Sequence, residues 1–168
     1  GIAQEKFTGY APKSKILAQL FSNILAYAPA YVQDNGMVIT NNSYGNITDD
    51  CTAFGVYDLY SRVLDQQAFQ MPNLQHVFAS GNSGDYVCSP YPAGFSTVLG
   101  SYQTSKNTIS VGNTNELGVL FSNSSKGPVR DGRIKPEIVA QGMFVTSTTP
   151  VNAYGPQSGT SMAAPAVS

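Results

Sequence analysis

Short apolar runs, each stopped by small or turn-forming residues, recur along this chain. Lys15–Phe21 (KILAQLF), Met37–Thr40 (MVIT), Gln75–Ala79 (QHVFA) and Thr108–Val111 (TISV) are the clearest. The second runs into Asn41-Asn42-Ser43-Tyr44-Gly45, the third stops at Ser80-Gly81-Asn82-Ser83-Gly84, and the fourth ends at Gly112-Asn113. Continuous runs of this length fit strands of a parallel sheet buried on both faces. Helical spacing lies between them. Asn23–Asp34 sets Ile24, Ala28, Tyr31 and Val32 on one side, with Pro29 restricting the start or bend and Asn35-Gly36 closing the helix. Val56–Phe69 repeats Val56, Tyr60, Val63, Leu64 and Ala68 at mostly three-to-four spacing and ends at Met71-Pro72-Asn73. Strand, helix, strand in succession predicts an α/β sandwich. Ligands on such a sheet bind beyond the C-terminal ends of the strands, which is where the Asn- and Gly-rich segments fall.

The later third reads differently. Thr114–Thr148 is rich in turn signals, among them Lys126-Gly127-Pro128 and Arg130-Asp131-Gly132. It predicts loops with short antiparallel strands at Val119–Ser122 and Phe144–Ser147. Ser158–Ser168 predicts a turn entering a helix, and the chain stops within that helix. Residues 1–168 are therefore expected to form part of one domain.

Composition removes several function classes. Nine Lys+Arg against ten Asp+Glu leave a net charge of −1, and no basic run offers a nucleic-acid footprint. Charged residues make up only 11%, well below the usual quarter, so polarity comes from Ser, Thr, Asn, Gln and Tyr. No apolar run approaches the roughly 18 residues that a membrane span needs. Gly1-Ile2-Ala3 does not open a signal peptide, so either the chain is cytoplasmic or a targeting segment has been removed. Cys51 and Cys88 leave two readings open, a pair of free thiols or one disulfide.

The candidate chemistry centres on Ser161. A serine hydroxyl is a poor nucleophile until something holds it and removes its proton. Here it stands where a glycine turn enters a helix, so backbone N–H groups and the helix dipole can face an oxyanion. A bare Gly-Thr-Ser is most often only a helix cap. The full heptapeptide Gly159-Thr160-Ser161-Met162-Ala163-Ala164-Pro165 is more specific: it resembles the nucleophile motif of the subtilase family of serine peptidases. Phe78–Gly84 resembles the strand end that bears the oxyanion-hole asparagine, which would be Asn82. Val38–Gly45 resembles the strand that pairs with substrate and lines the principal specificity pocket. Lys135–Gly142 resembles the segment before the last loops leading to the serine.

The resemblance is collinear over nearly all of the chain and implies a subtilisin-like three-layer α/β sandwich with a mainly parallel sheet, present as a partial catalytic domain. It implies Ser161 as nucleophile, Asn82 as oxyanion donor, and Ser43, Tyr44, Gly45, Ala79, Ser80, Gly81 and Thr160 as substrate-binding residues. Ser43-Tyr44-Gly45 would offer free backbone groups to an extended peptide. Ala79-Ser80-Gly81 would form the opposite wall, leaving room for a sizeable apolar side chain, with Tyr44 favouring an apolar or aromatic one.

Other expected parts are missing. The only histidine, His76, lies in mid-strand and is expected to pack in or beside the sheet. The family's His-Gly-Thr and Asp-Thr-Gly motifs do not occur, and Asp34, Asp49, Asp50, Asp58 and Asp65 match no catalytic motif. Gly1-Ile2-Ala3 resembles the tail of the histidine helix, and Tyr10-Ala11-Pro12 the turn before the next strand. The isolated chain is therefore expected to be inactive, its base and acid lying upstream. Within the resemblance, Cys51 and Cys88 follow adjacent strands on one rim of the cleft. That implies a Cys51–Cys88 disulfide and a secreted or periplasmic parent. Asp49, Asp50, Asp58 and Asp85 show no calcium-ligand pattern, so neither metal nor cofactor is expected. The expected partners are a polypeptide substrate and the missing N-terminal part of the domain, with self-association through an exposed sheet edge. Two further readings stay open: a scaffold that has lost catalysis and only holds peptides, and a fragment acting by complementation with a separate chain.

Overall fold

Four parallel strands, paired in chain order, form the central sheet: β1 (Ile39–Asn42), β2 (Gln75–Ala79), β3 (Ile109–Thr114) and β4 (Ile138–Gln141). The architecture comes from a computed structural model, which describes residues 9–168 and, within them, all side chains except those of Ser22 and Ile24. The Gly1-Ile2-Ala3 resemblance lies outside the described residues. Ile39 pairs with Gln75, Val77 with Ile109 and Val111 with Ile138, so the C-terminal ends of all four strands reach the same rim.

Helices cover both faces, as expected of this α/β class. On one face lies α3 (Thr160–Val167). There Ala163 and Ala164 pack on Val77, Ala79 and Val111, with Ile109, Ala140 and Val167 at the margin. On the other face lies α2 (Leu59–Gln70). Its N-terminus is capped by Asp58, whose Oδ1 accepts from the N–H groups of Tyr60 at 2.9 Å and Ser61 at 3.2 Å. Tyr60 of α2 meets Tyr102, which stacks on Phe78 with ring centroids 5.5 Å apart. The first helix, α1 (Ile24–Asn35), ends on Gly36 in the left-handed conformation, as the Asn-Gly pair predicts. Pro29 lacks the N–H that would bond the carbonyl of Leu25. Gln67 of α2 supplies the donor instead, Nε2 to Leu25 O at 2.5 Å.

Three sequence expectations are corrected. Lys15–Phe21 is not a strand: residues 15–20 are irregular, with Ile16 and Leu20 62% and 72% exposed, and Phe21–Asn23 forms a 3-10 turn. Apolar character makes a strand only where a neighbour completes the ladder, and no described strand pairs there. β1 begins two residues later than Met37 and continues into Asn41-Asn42, because its register with β2 starts at Ile39. Buried Asn42 is tolerated because its amide donates to Thr40 Oγ1 at 2.7 Å and Val77 O at 3.0 Å. Val119–Ser122 reduces to one bridge between Thr114 and Leu120. By contrast, β5 (Val145–Thr149), close to the expected Phe144–Ser147, pairs antiparallel with β6 (Ala153–Gln157), a strand for which the sequence gives no signal.

Candidate active site

Two chain segments meet above the C-terminal end of β2. One is the turn Ser80-Gly81-Asn82 that leaves β2, anchored by Ser80 N–H to Val111 O at 3.0 Å. The other is the start of α3. Gly159 precedes it at φ 146°, a backbone region open to glycine, and a side chain there would meet the Asn82 amide at 3.3 Å.

Asn82 is exposed, yet its amide is oriented. Oδ1 accepts from the Thr160 N–H at 2.9 Å and from the Thr160 hydroxyl at 3.0 Å. A backbone N–H can only donate, so the atom facing it must be the amide oxygen, and this sets which way round the amide sits. Nδ2 makes no hydrogen bond among the described residues. Thr160 thus holds Asn82 through two bonds, and its Oγ1 also accepts from Gly81 N–H at 3.3 Å. Thr160 itself is fully buried, and its contacts are with this asparagine turn.

Ser161 is half-buried in the first turn of α3, where backbone N–H groups have no partner within the helix. Its hydroxyl donates to Ser43 O at 3.3 Å, and Ser43 Oγ donates back to Ser161 O at 2.8 Å. The second bond has a sequence cause. Pro165 stands four residues after Ser161 and lacks the N–H that would bond the Ser161 carbonyl in a regular helix. Ser43 replaces that donor, joining the end of β1 to the first turn of α3.

The segment Ser43-Tyr44-Gly45 is less free than its sequence implies. Ser43 O takes the Ser161 hydroxyl, and Tyr44 O accepts from Gln103 Nε2 at 2.8 Å. The Tyr44 ring turns away from the two glycine-lined walls into a cluster with Phe21, Phe78 and Tyr102. Its phenol donates to Asn42 Oδ1 at 3.1 Å, and burial, with Tyr102 beside it, pushes its pKa well up. Nor is the room beside Ala79-Ser80-Gly81 open to a sizeable apolar group, since Leu99 packs directly against Gly81. Neither Leu99 nor Gln103 carries a local sequence signal. The glycines they press on are the only trace.

His76 sits 1% exposed in the middle of β2. Its Nδ1 lies 2.8 Å from Thr40 Oγ1, its Nε2 is buried without a hydrogen-bond partner, and desolvation lowers its pKa to about 4. An imidazole so placed stays neutral and out of reach of Ser161, as its mid-strand position predicts. Cys51 and Cys88 are joined as a disulfide with Cα atoms 5.5 Å apart, and they pack with Phe54 and Leu99.

A parallel α/β sandwich with a serine in the first turn of a helix and an oriented asparagine beside it defines the class. The family assignment follows. Residues 2–168 match the model of the subtilase family, and the chain belongs to that family. Its fold is similar to that of the prenylagaramide maturation protease PagA (TM-score 0.64, 23% identity, covering 97% of this chain and 55% of that one). It is also similar to the patellamide maturation protease PatA (TM-score 0.62, 24% identity, 85% and 46%) and to the PatG macrocyclase in complex with peptide (TM-score 0.57, 21% identity, 85% and 37%). The chain thus spans about half the length of these proteases, and less of the macrocyclase.

Proposed function

We propose that this chain is the nucleophile-bearing part of a serine endopeptidase that cuts peptide bonds through an acyl-enzyme. In this reading Ser161 Oγ bonds to the scissile carbonyl carbon, its proton passes to a base, and the C–N bond breaks as that proton reaches the leaving amine. Asn82 Nδ2 and the Ser161 N–H receive the developing oxyanion. Water then hydrolyses the ester by the same groups. The observation that carries the reading is the Asn82 amide, held by two hydrogen bonds from Thr160, the residue before Ser161, with its Nδ2 making no hydrogen bond among the described residues.

The base and its acid come from the N-terminal part of the domain, since the chain's only histidine is buried and unable to take up a proton near neutral pH. The isolated chain is accordingly inactive. A polypeptide is the substrate and that N-terminal part the principal partner. The disulfide supports a secreted or periplasmic location. Labelling with a fluorophosphonate decides the matter. Ser161 is labelled in the parent protein, Ser161→Ala abolishes labelling, and the isolated chain stays unlabelled. Asn82→Ala lowers turnover by roughly 10²–10³-fold, a magnitude carried over from subtilisin itself, where it was measured. A parent that resists the probe would falsify the reading.

A further inference from the structure

Each wall of the cleft carries a glycine, Gly45 after β1 and Gly81 after β2, and both turn a bare face to the same side chain. A Cβ on Gly45 would lie 2.7 Å from Leu99 Cδ1 and 2.5 Å from Gln103 Nε2. A Cβ on Gly81 would lie 2.8 Å from Leu99 Cγ and 2.8 Å from Ser125 Oγ. Leu99 therefore fills the gap between the walls while remaining 6% exposed. It has no room to withdraw. Phe54 and Cys88 pack against it, and its N–H donates to Ser80 O at 3.0 Å. The walls are also kept from spreading. Gln103 Nε2 donates to Tyr44 O on one side at 2.8 Å and to Ala79 O on the other at 3.1 Å.

We infer that Leu99 is the floor of a shallow specificity slot, which restricts the residue on the acyl side of the cut bond to a small side chain such as Gly, Ala or Ser. This inference rests on the peptidase reading above. Protein interiors are close-packed, so a slot that already holds a leucine and is tied across by an amide does not also admit an aromatic ring. Opening it requires removing side-chain volume from the floor. Leu99 is thus a specificity-determining residue, and Gln103 is a positioning residue that sets the width of the slot.

The experiment uses the parent protein and a peptide series identical except for Gly, Ala, Leu or Phe before the cut bond. Active sites are counted with a small fluorophosphonate, so that misfolded molecules drop out. The unmodified protein favours Ala over Phe by at least about tenfold in kcat/KM, the scale of discrimination a closely fitting pocket reaches. Leu99→Ala raises the Phe/Ala ratio by a similar factor. Leu99→Met, of like volume, keeps the original ranking, as does Leu117→Ala on the exposed 115–120 turn. If Leu99→Ala yields no labelled sites, Leu99→Val decides by the same ratio. Equal cleavage after Phe and Ala by the unmodified protein overturns the inference, and so does a ratio unmoved in the shortened variant. A parent that neither labels nor cleaves overturns the peptidase reading instead, and this inference with it.

Discussion

The two faces of the sheet hold the same site by different means. Beneath α3 the contact is aliphatic and small, with Val77, Ala79 and Val111 against Ala163 and Ala164. Under α2 it is aromatic and polar. Phe78 stacks on Tyr102, while His76, Thr40 and Asn42 share buried hydrogen bonds. The first face places Ser161 by volume, because small residues let the helix sit close to the sheet. The second places Tyr44 and Gln103, and hence the segments after β1 and β2 that Gln103 ties together, by ring packing and hydrogen-bond direction. One face should therefore respond to steric change and the other to truncation and protonation.

Three perturbations sharpen this contrast. Phe78→Ala removes the ring on which Tyr44 and Tyr102 converge and should cost about 3–5 kcal/mol in urea unfolding followed by tyrosine fluorescence. A loss below about 1 kcal/mol would show that the aromatic cluster is peripheral. Acid should act on the same face. His76 titrates near 4 when folded against 6.5 when free. Between those values the unfolded chain binds a proton that the folded chain refuses, so stability is lost as pH falls from about 6.5 to 4. The full loss is about 3 kcal/mol, because each tenfold drop in proton affinity on folding is worth about 1.36 kcal/mol. His76→Asn should flatten that slope, and an unchanged slope would mean the loss arises elsewhere. On the opposite face, Ala164→Leu should cost about 1–3 kcal/mol through overpacking, with no new pH dependence over that window. A neutral result would place a void under α3.

Strands β1 to β3 are readable in the sequence because they are short apolar runs, and β2 matches the expected Gln75–Ala79 without a shift. Strand β4 (Ile138–Gln141), parallel to β3, falls in the stretch expected to hold only loops and short antiparallel strands, where the turn signals around it mask the run. Lys15–Phe21 has the same local character but no partner, and pairing is not a local property. β6 is hidden because Gly155 and Pro156 argue against a strand. A two-stranded hairpin edge tolerates them. Within the site, Ser161 and Asn82 stand in segments whose residue order is distinctive. Leu99 and Gln103 do not. Their closeness to Gly45 and Gly81 spans tens of residues and emerges only once the chain is folded. The glycines announce a close approach without naming what approaches.

The Cys51–Cys88 link has one more consequence. Its sequence separation of 37 residues encloses all of α2 and β2. The exposed Asp85-Tyr86-Val87 stretch, the kind of surface segment at which chains are nicked, lies inside that closed ring. A single backbone cut there leaves one covalently continuous molecule rather than two diffusing pieces. The crosslink converts such a nick from the loss of a wall into a local scar.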